Sequence, residues 1–169
     1  VDSENLSTGQ GLLVVAAAKL AQQGLSGAEI AERVRALAPK VEASFLLERL
    51  DYMRKGGRCS AVAALGANLL HLKPCIEVRN GKMAVCKKYR GSFEKCIRQY
   101  VRERLDGRDD VAPELAFLVH AAADANVVAA AKEETAACGP FGEVIEAQAG
   151  CTVSCHCGPN TLAVMFVRK

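Results

Sequence analysis

Tryptophan is absent from the chain, and only 5% of its residues are aromatic. Proteins that grip single-stranded nucleic acid stack its bases on aromatic faces, so no nucleic-acid partner is expected. Charge of one sign is also scarce. The formal net charge over 169 residues is +3 at pH 7, too little for a global polyanion-binding field. No apolar run reaches the length needed to cross a bilayer. The first residues show neither the basic nor the apolar region of a secretory signal, and no repeat or low-complexity segment interrupts the chain. An initiator Met is missing as well. The text opens on Val1-Asp2-Ser3, which reads as a strand end, so a fragment lacking its upstream portion is expected.

Apolar residues are plentiful. They make up 50% of the chain, enough for a sizeable core in one ordinary domain or two small ones. The eight cysteines are 59, 75, 86, 96, 138, 151, 155 and 157. The chain is not a short secreted scaffold, and several cysteines sit where Cys acts as a small hydrophobe. A reducing cytoplasm is expected.

Along the chain, helices and strands alternate. Leu12–Gln23 reads as a helix with Ser7 or Thr8 as its N-cap, and Gly24 stops it. Its N-terminus could cap ordinarily or hold an anion. Ser26 and Glu29 form a capping box for a second helix that ends at Pro39. Val41–Leu47 is a strand. Cys75–Arg79 and Lys82–Lys87 flank Asn80-Gly81, a strong hairpin signal. Ser92 caps a helix to Leu105, with Phe93, Cys96, Ile97, Tyr100 and Val101 facing inward. Asp106–Pro113 is a polar connection. Leu115–His120 is a buried strand, with His120 a hydrogen-bonded terminus. Ala125–Cys138 is a helix ending at Gly139-Pro140, and Glu143–Ala147 and Leu162–Val167 are strands. The expected fold class is a layered α/β or α+β domain with a mixed sheet.

Two stretches carry chemistry. In Leu50-Asp51-Tyr52-Met53-Arg54-Lys55-Gly56-Gly57-Arg58-Cys59-Ser60, a cationic helical turn runs into two glycines. Glycines admit positive φ and close approach of a ligand. Arg58 offers a planar fork of donors suited to carboxylate or phosphate. The same pattern also fits a helix C-cap with an exposed Arg. The apolar stretch Ala61–Leu72 after it reads as a helix, either a cavity wall through Ala61, Leu65 and Leu69 or plain core.

The second stretch is Gly150-Cys151-Thr152-Val153-Ser154-Cys155-His156-Cys157-Gly158-Pro159-Asn160. Read as an extended loop, it sends consecutive Cys155, His156 and Cys157 to alternating sides. That argues against a zinc site, which usually draws on two separated ligand pairs, and no metal is expected. Adjacent Cys155 and His156 likewise do not converge as nucleophile and base. What remains is His156 on a tight turn, bonded to its own loop or presented to an anion. Lys87-Lys88-Tyr89-Arg90 is a local basic patch. It reads either as a solvated strand end or as a docking surface for an acidic partner.

Taken together, these stretches resemble the DegV family of bacterial fatty-acid-binding proteins. The match covers Asp2-Ser3 with Ser7, Gly9, Gln10 and Gly11; then Leu50, Gly56-Gly57-Arg58-Cys59-Ser60; Leu72-Lys73-Pro74; Asn80-Gly81; Lys88-Tyr89-Arg90; and His156-Cys157-Gly158-Pro159. The resemblance implies a DegV-like C-terminal domain over residues 41–169 with its hairpin at 75–90. Residues 1–40 would then be the remnant of an N-terminal α/β domain. It implies no enzyme and no cofactor, but a carrier that presents a bound acyl carboxylate to a fatty acid kinase for acyl-phosphate formation. Arg58 and His156 match the head-group positions, and Arg90 with Lys87 and Lys88 matches the kinase-docking position. The Thr and Ser that the family's first domain adds to the head-group site are missing here. Ser154 and Asn160 stand where the family usually has Gly, and Cys155 and Cys157 at positions commonly Thr or similar. The alternative is a thiol- or zinc-dependent enzyme using Cys151, Cys155, His156 and Cys157. Pairing with a second copy is left open.

Overall fold

The computed structural model describes residues 1–58 and 72–169. Residues 61–71 of the expected Ala61–Leu72 helix, with Ala61, Leu65 and Leu69, lie outside the described residues. Leu72, taken as that helix's last residue, instead opens a strand.

Two helices come first, α1 (Ser7–Gln22) and α2 (Gly27–Leu37), then a 3-10 turn at Ala38–Lys40. β1 (Val41–Leu46) and the short α3 (Asp51–Lys55) follow. β2 (Leu72–Arg79) and β3 (Lys82–Arg90) form the hairpin, and α4 (Phe93–Leu105) leads to β4 (Val111–Ala121). The chain ends with α5 (Ala125–Cys138), β5 (Glu143–Gln148), α6 (Cys151–Cys157) and β6 (Thr161–Arg168). The strands make one mixed sheet in the order β3-β2-β1-β6-β4-β5. Among the described residues only β4 and β5 pair in parallel; the other ladders are antiparallel.

The sheet is greasy on both faces, as the period of two requires. Ala43 and Phe45 of β1, Val119 of β4, and Ala163 and Met165 of β6 face one side, where Leu12 and Leu13 of α1 also pack. Leu46, Leu118, Leu162, Val164 and Phe166 face the other, against Ile97, Tyr100 and Val101 of α4. One polar group crosses this second layer. The Tyr100 hydroxyl donates to the Ser44 carbonyl at 2.7 Å and accepts from the Val164 amide at 3.1 Å. Ser44 and Val164 are register partners in the central ladder, so α4 is fastened to mid-sheet by a satisfied buried group.

Local signals explain most boundaries. Ser26 accepts from the Glu29 amide, and the Glu29 carboxylate accepts from the Ser26 amide at 2.9 Å, completing the capping box. Asn80 and Gly81 both have positive φ, 50° and 70°, as a two-residue hairpin turn demands. Four expectations need correction. Val1–Ser3 is not in a strand, because Asp2 and Ser3 fold back on the Glu4 and Asn5 amides. The first helix starts at Ser7, five residues earlier than Leu12, with Leu6 as its N-cap and no side-chain cap. Ser92 is an N-cap by position, but its side chain makes no cap hydrogen bond. The connection after α4 is also shorter than Asp106–Pro113, because β4 already begins at Val111.

Candidate functional site

The Gly-Gly-Arg stretch is a helix-ending motif that aims a cation. Gly56 caps α3 and Gly57 follows at φ +73°. The Arg58 amide donates to the Met53 carbonyl at 2.9 Å and the Gly57 amide to the Arg54 carbonyl at 3.2 Å. This is the Schellman pattern, and the glycine at its left-handed position lifts the Cβ penalty. The stretch is therefore a C-cap with an exposed Arg58, and Arg58 also stands at the rim of a cavity. The Arg58 side chain donates to the Gly56 carbonyl at 2.8 Å.

The cysteine–histidine stretch is a helix rather than an extended loop. α6 spans Cys151–Cys157, and its polar, β-branched composition gave little helical signal. Packing against α3 sustains it. On a helix, Cys151 and Cys155 share one exposed face at i, i+4, while Cys157 points inward and is buried. Burial pushes the Cys157 thiol up to about 11. Among the described residues, no group of three or more His, Cys, Asp or Glu could hold a metal ion.

α3 and α6 meet through two glycines. His156 packs its ring on Gly56, where a Cβ would collide with Nδ1, and Gly158 receives the ring of Tyr52. His156 Nδ1 is buried with no hydrogen-bond partner among the described residues. Gly158 sits at φ +79° and Asn160 at φ +54°. The Asn160 side chain donates to Glu48 at 2.9 Å and accepts from the Asp124 amide at 2.7 Å.

Arg58 and His156 thus border the same cavity, of about 240 Å³, on the α1 side of the sheet. Its body is apolar: Phe45, Val78, Met83, Val119 and Met165 come from five different strands. Sequence reasoning missed the hairpin's Val78 and Met83, and Thr161 at the start of β6, because nothing local marks which strand faces share a hollow. Ser7, expected as a cap, lines the cavity instead at φ +54°. His120 borders it too and is satisfied: Nδ1 accepts from the Ala123 amide at 3.4 Å, and Nε2 faces Glu146 at 3.3 Å.

Lys87, Lys88 and Arg90 lie elsewhere, on the edge strand β3. They divide. Lys87 pairs with Glu103 at 2.7 Å, and Glu103 also accepts from the buried Tyr89 at 2.6 Å. Lys88 and Arg90 are exposed and make no ion pair with the described residues. Among the described residues no helix is long and apolar enough to cross a membrane.

The fold is thus a layered α/β domain whose sheet carries an apolar hollow with a cationic rim. The chain belongs to the DegV family: the family model, described as uncharacterised protein, DegV family, matches residues 1–169. A DegV domain-containing protein of Caldanaerobacter subterraneus is 30% identical over 172 residues, covering 100% of this chain and 60% of its own. The chain thus spans about three fifths of that relative's length. Among solved structures, a fatty-acid-binding DegV family protein from Thermus thermophilus matches with a TM-score of 0.83 and 25% identity. It covers 100% of this chain and 60% of the other. The Streptococcus pneumoniae Fatty Acid Kinase (Fak) B3 protein, loaded with linoleic acid, shares the fold with a TM-score of 0.83 at 19% identity, over 100% and 59% of the two chains.

Proposed function

We propose that this chain is the larger part of a fatty-acid carrier, with no catalytic step of its own. The observation that carries the reading is the cavity, which combines apolar walls from five strands with Arg58 and His156 at its border. An acyl tail gains roughly 0.8 kcal/mol per buried methylene. A carboxylate at Arg58 gains charge-assisted hydrogen bonds in a bidentate geometry that a lysine would not offer. The fatty-acid-binding relative from Thermus thermophilus supports the same ligand class. At about 240 Å³ the hollow is small for a long acyl chain, and common ligand pockets run to ~300–1,000 Å³. The wall residues Ala61, Leu65 and Leu69 expected from the sequence lie outside the described residues.

In this reading the carrier presents the carboxylate to a fatty acid kinase, which performs the phosphorylation. Lys88 and Arg90, exposed on β3, would be the docking cations, with Lys87 tied to Glu103 in a supporting place. We divide the chain at residue 40. Among the described residues all six strands fall between residues 41 and 168, and residues 1–40 add two helices and a 3-10 turn, in keeping with the end of a first domain followed by the second. The seven described cysteines are all free, as in a reducing cytoplasm, where we place the protein.

The thiol or zinc alternative finds less support. Its four residues spread around one short helix, with one thiol buried and two facing outward.

Native mass spectrometry of the chain purified from bacteria tests the carrier. The expected result is a mass increment equal to a fatty acid, identified in the organic extract. A protein that yields no fatty acid, alone or within a longer parent, overturns the reading. The same spectra report whether a second copy binds.

A further inference from the structure

On the opposite face of the sheet, two thiols meet one guanidinium. The β2–β3 ladder slips between Cys75 and Ile76: Cys75 pairs with Lys87, whereas Ile76 pairs with Val85, leaving Cys86 outside the register. A bulge of this kind sets two residues against one and re-aims a side chain. The Cys86 thiol is turned back over β2, with Sγ 3.4 Å from the Cys75 carbonyl. Arg104 reaches the pair from α4. Its Nη2 lies 3.1 Å from Cys86 Sγ and 3.8 Å from Cys75 Sγ. The same nitrogen is 3.4 Å from Glu77, which Arg79 also pairs at 2.9 Å. Cys86 is exposed and Cys75 is buried behind it.

We propose that Cys86 and Cys75 form a peroxide-sensitive dithiol, with Cys86 as the attacking sulfur, Cys75 as the resolving sulfur and Arg104 as the cation that holds the thiolate. Nothing in the lipid reading uses these residues. Cys86 is open to a small solute, carries a positive neighbour and has a second thiol within reach, the three features of a redox-responsive cysteine. The hydrogen bond from Cys75 and the charge of Arg104 hold the Cys86 thiol below its ordinary range. The Cys86 partner and burial drive Cys75 up, so Cys86 loses its proton first.

The chemistry balances with hydrogen peroxide as oxidant. The Cys86 thiolate attacks one peroxide oxygen and the O–O bond breaks. Cys86 becomes a sulfenic acid, and the departing hydroxide takes up a proton to leave as water. Cys75 then gives up its proton, and its sulfur displaces hydroxide from the sulfenic sulfur. The S–S bond forms and a second water leaves. The two thiols together lose two electrons and two protons, and the peroxide gains both. The new bond would pin the bulge of the strand that carries Lys88 and Arg90.

The test treats the reduced chain with hydrogen peroxide in the presence of dimedone, a sulfenic-acid trap, and maps the products by peptide mass spectrometry. A Cys75–Cys86 disulfide should form at least about fivefold faster than oxidation at the exposed Cys151 and Cys155. Cys75→Ser should accumulate the dimedone adduct at Cys86, and Cys86→Ser should leave Cys75 reduced. Arg104→Gln should slow the reaction several-fold, with Arg104→Lys restoring part of the rate. Oxidation of Cys86 at the same rate as Cys151 and Cys155, or without pairing to Cys75, overturns the proposal. Both outcomes are read on the unsubstituted chain, so a variant that fails to fold does not remove the test. No readout depends on lipid, so failure here and failure of the carrier reading are separate results.

Discussion

His156 and Gly56 touch in a way that only glycine permits. A Cβ at position 56 would run into His156 Nδ1 and come within 3.1 Å of the Tyr52 carbonyl. Gly56→Ala should therefore push the imidazole from its seat and cost about 1–3 kcal/mol of stability through overpacking. Gly57→Ala is the control. Position 57 has open space but φ +73°, so it should cost roughly 1–2 kcal/mol in backbone strain and leave the ring where it is. Imidazole NMR shifts of His156 separate the two. Equal shifts in both variants would mean that the ring is not held by the Gly56 contact.

Arg58 is exposed, and among the described residues its side chain makes one hydrogen bond, to the carbonyl of Gly56 two residues away. Arg58→Ala should leave the melting temperature within about a degree, since exposed groups away from special features contribute little. It should weaken fatty-acid retention about ten- to hundredfold, the size of a lost charge-assisted hydrogen bond. Parallel losses of stability and of ligand would count against a direct role at the head group.

The division of the basic strand makes a graded prediction. Charge reversal at Arg90 or Lys88, both exposed and without an ion pair among the described residues, should abolish kinase-dependent acyl-phosphate formation while the carrier still holds its lipid. Lys87→Glu should instead lower stability, because it sets two carboxylates together where Lys87 now meets Glu103. Kinase assays on lipid-loaded variants, run beside thermal melts, check both. Undiminished turnover with Arg90→Glu would remove the docking assignment.

Stability should fall on the acid side through Glu134. This nearly buried carboxylate accepts from Arg102 at 2.6 and 2.8 Å and from Arg98 at 3.3 Å, tying α5 to α4. Hydrogen bonds from Arg102, then those from Arg98, hold its pKa below the ordinary 4.5. A carboxylate lowered in the folded state stabilises fully above its unfolded pKa and loses that contribution as pH falls through the folded value. Glu134→Gln should therefore melt below the parent at pH 7, and the gap should narrow as pH falls below the ordinary 4.5 and close once it has passed the lowered folded value. A gap that stays constant from pH 7 to pH 3 would show that the charge of Glu134 is not what matters.

The sequence by itself determined the elements whose signals are local. Asn80-Gly81 dictated the hairpin turn, Ser26 and Glu29 the start of α2, Gly57 the end of α3, and the alternation of Val41, Ala43 and Phe45 the strand β1. Each rests on φ/ψ preference, hydrogen bonding within a few residues or the period of a strand, all of which act before the chain has folded. The pairing of Arg58 with His156 in one site entered only through resemblance, since they stand 98 positions apart in the chain and no local pattern joins them. Tertiary structure alone decided the rest. α6 is helical because α3 packs on it, although its own residues favour no helix. Val78 and Met83 line the hollow because the ladder register sets them in line with Ala43 and Met165 on one face of the sheet. Cys86 meets Cys75 and Arg104 because a slip in the ladder re-aims one side chain. Such contacts depend on which faces are brought together, and a single strand or helix carries no record of its eventual neighbour.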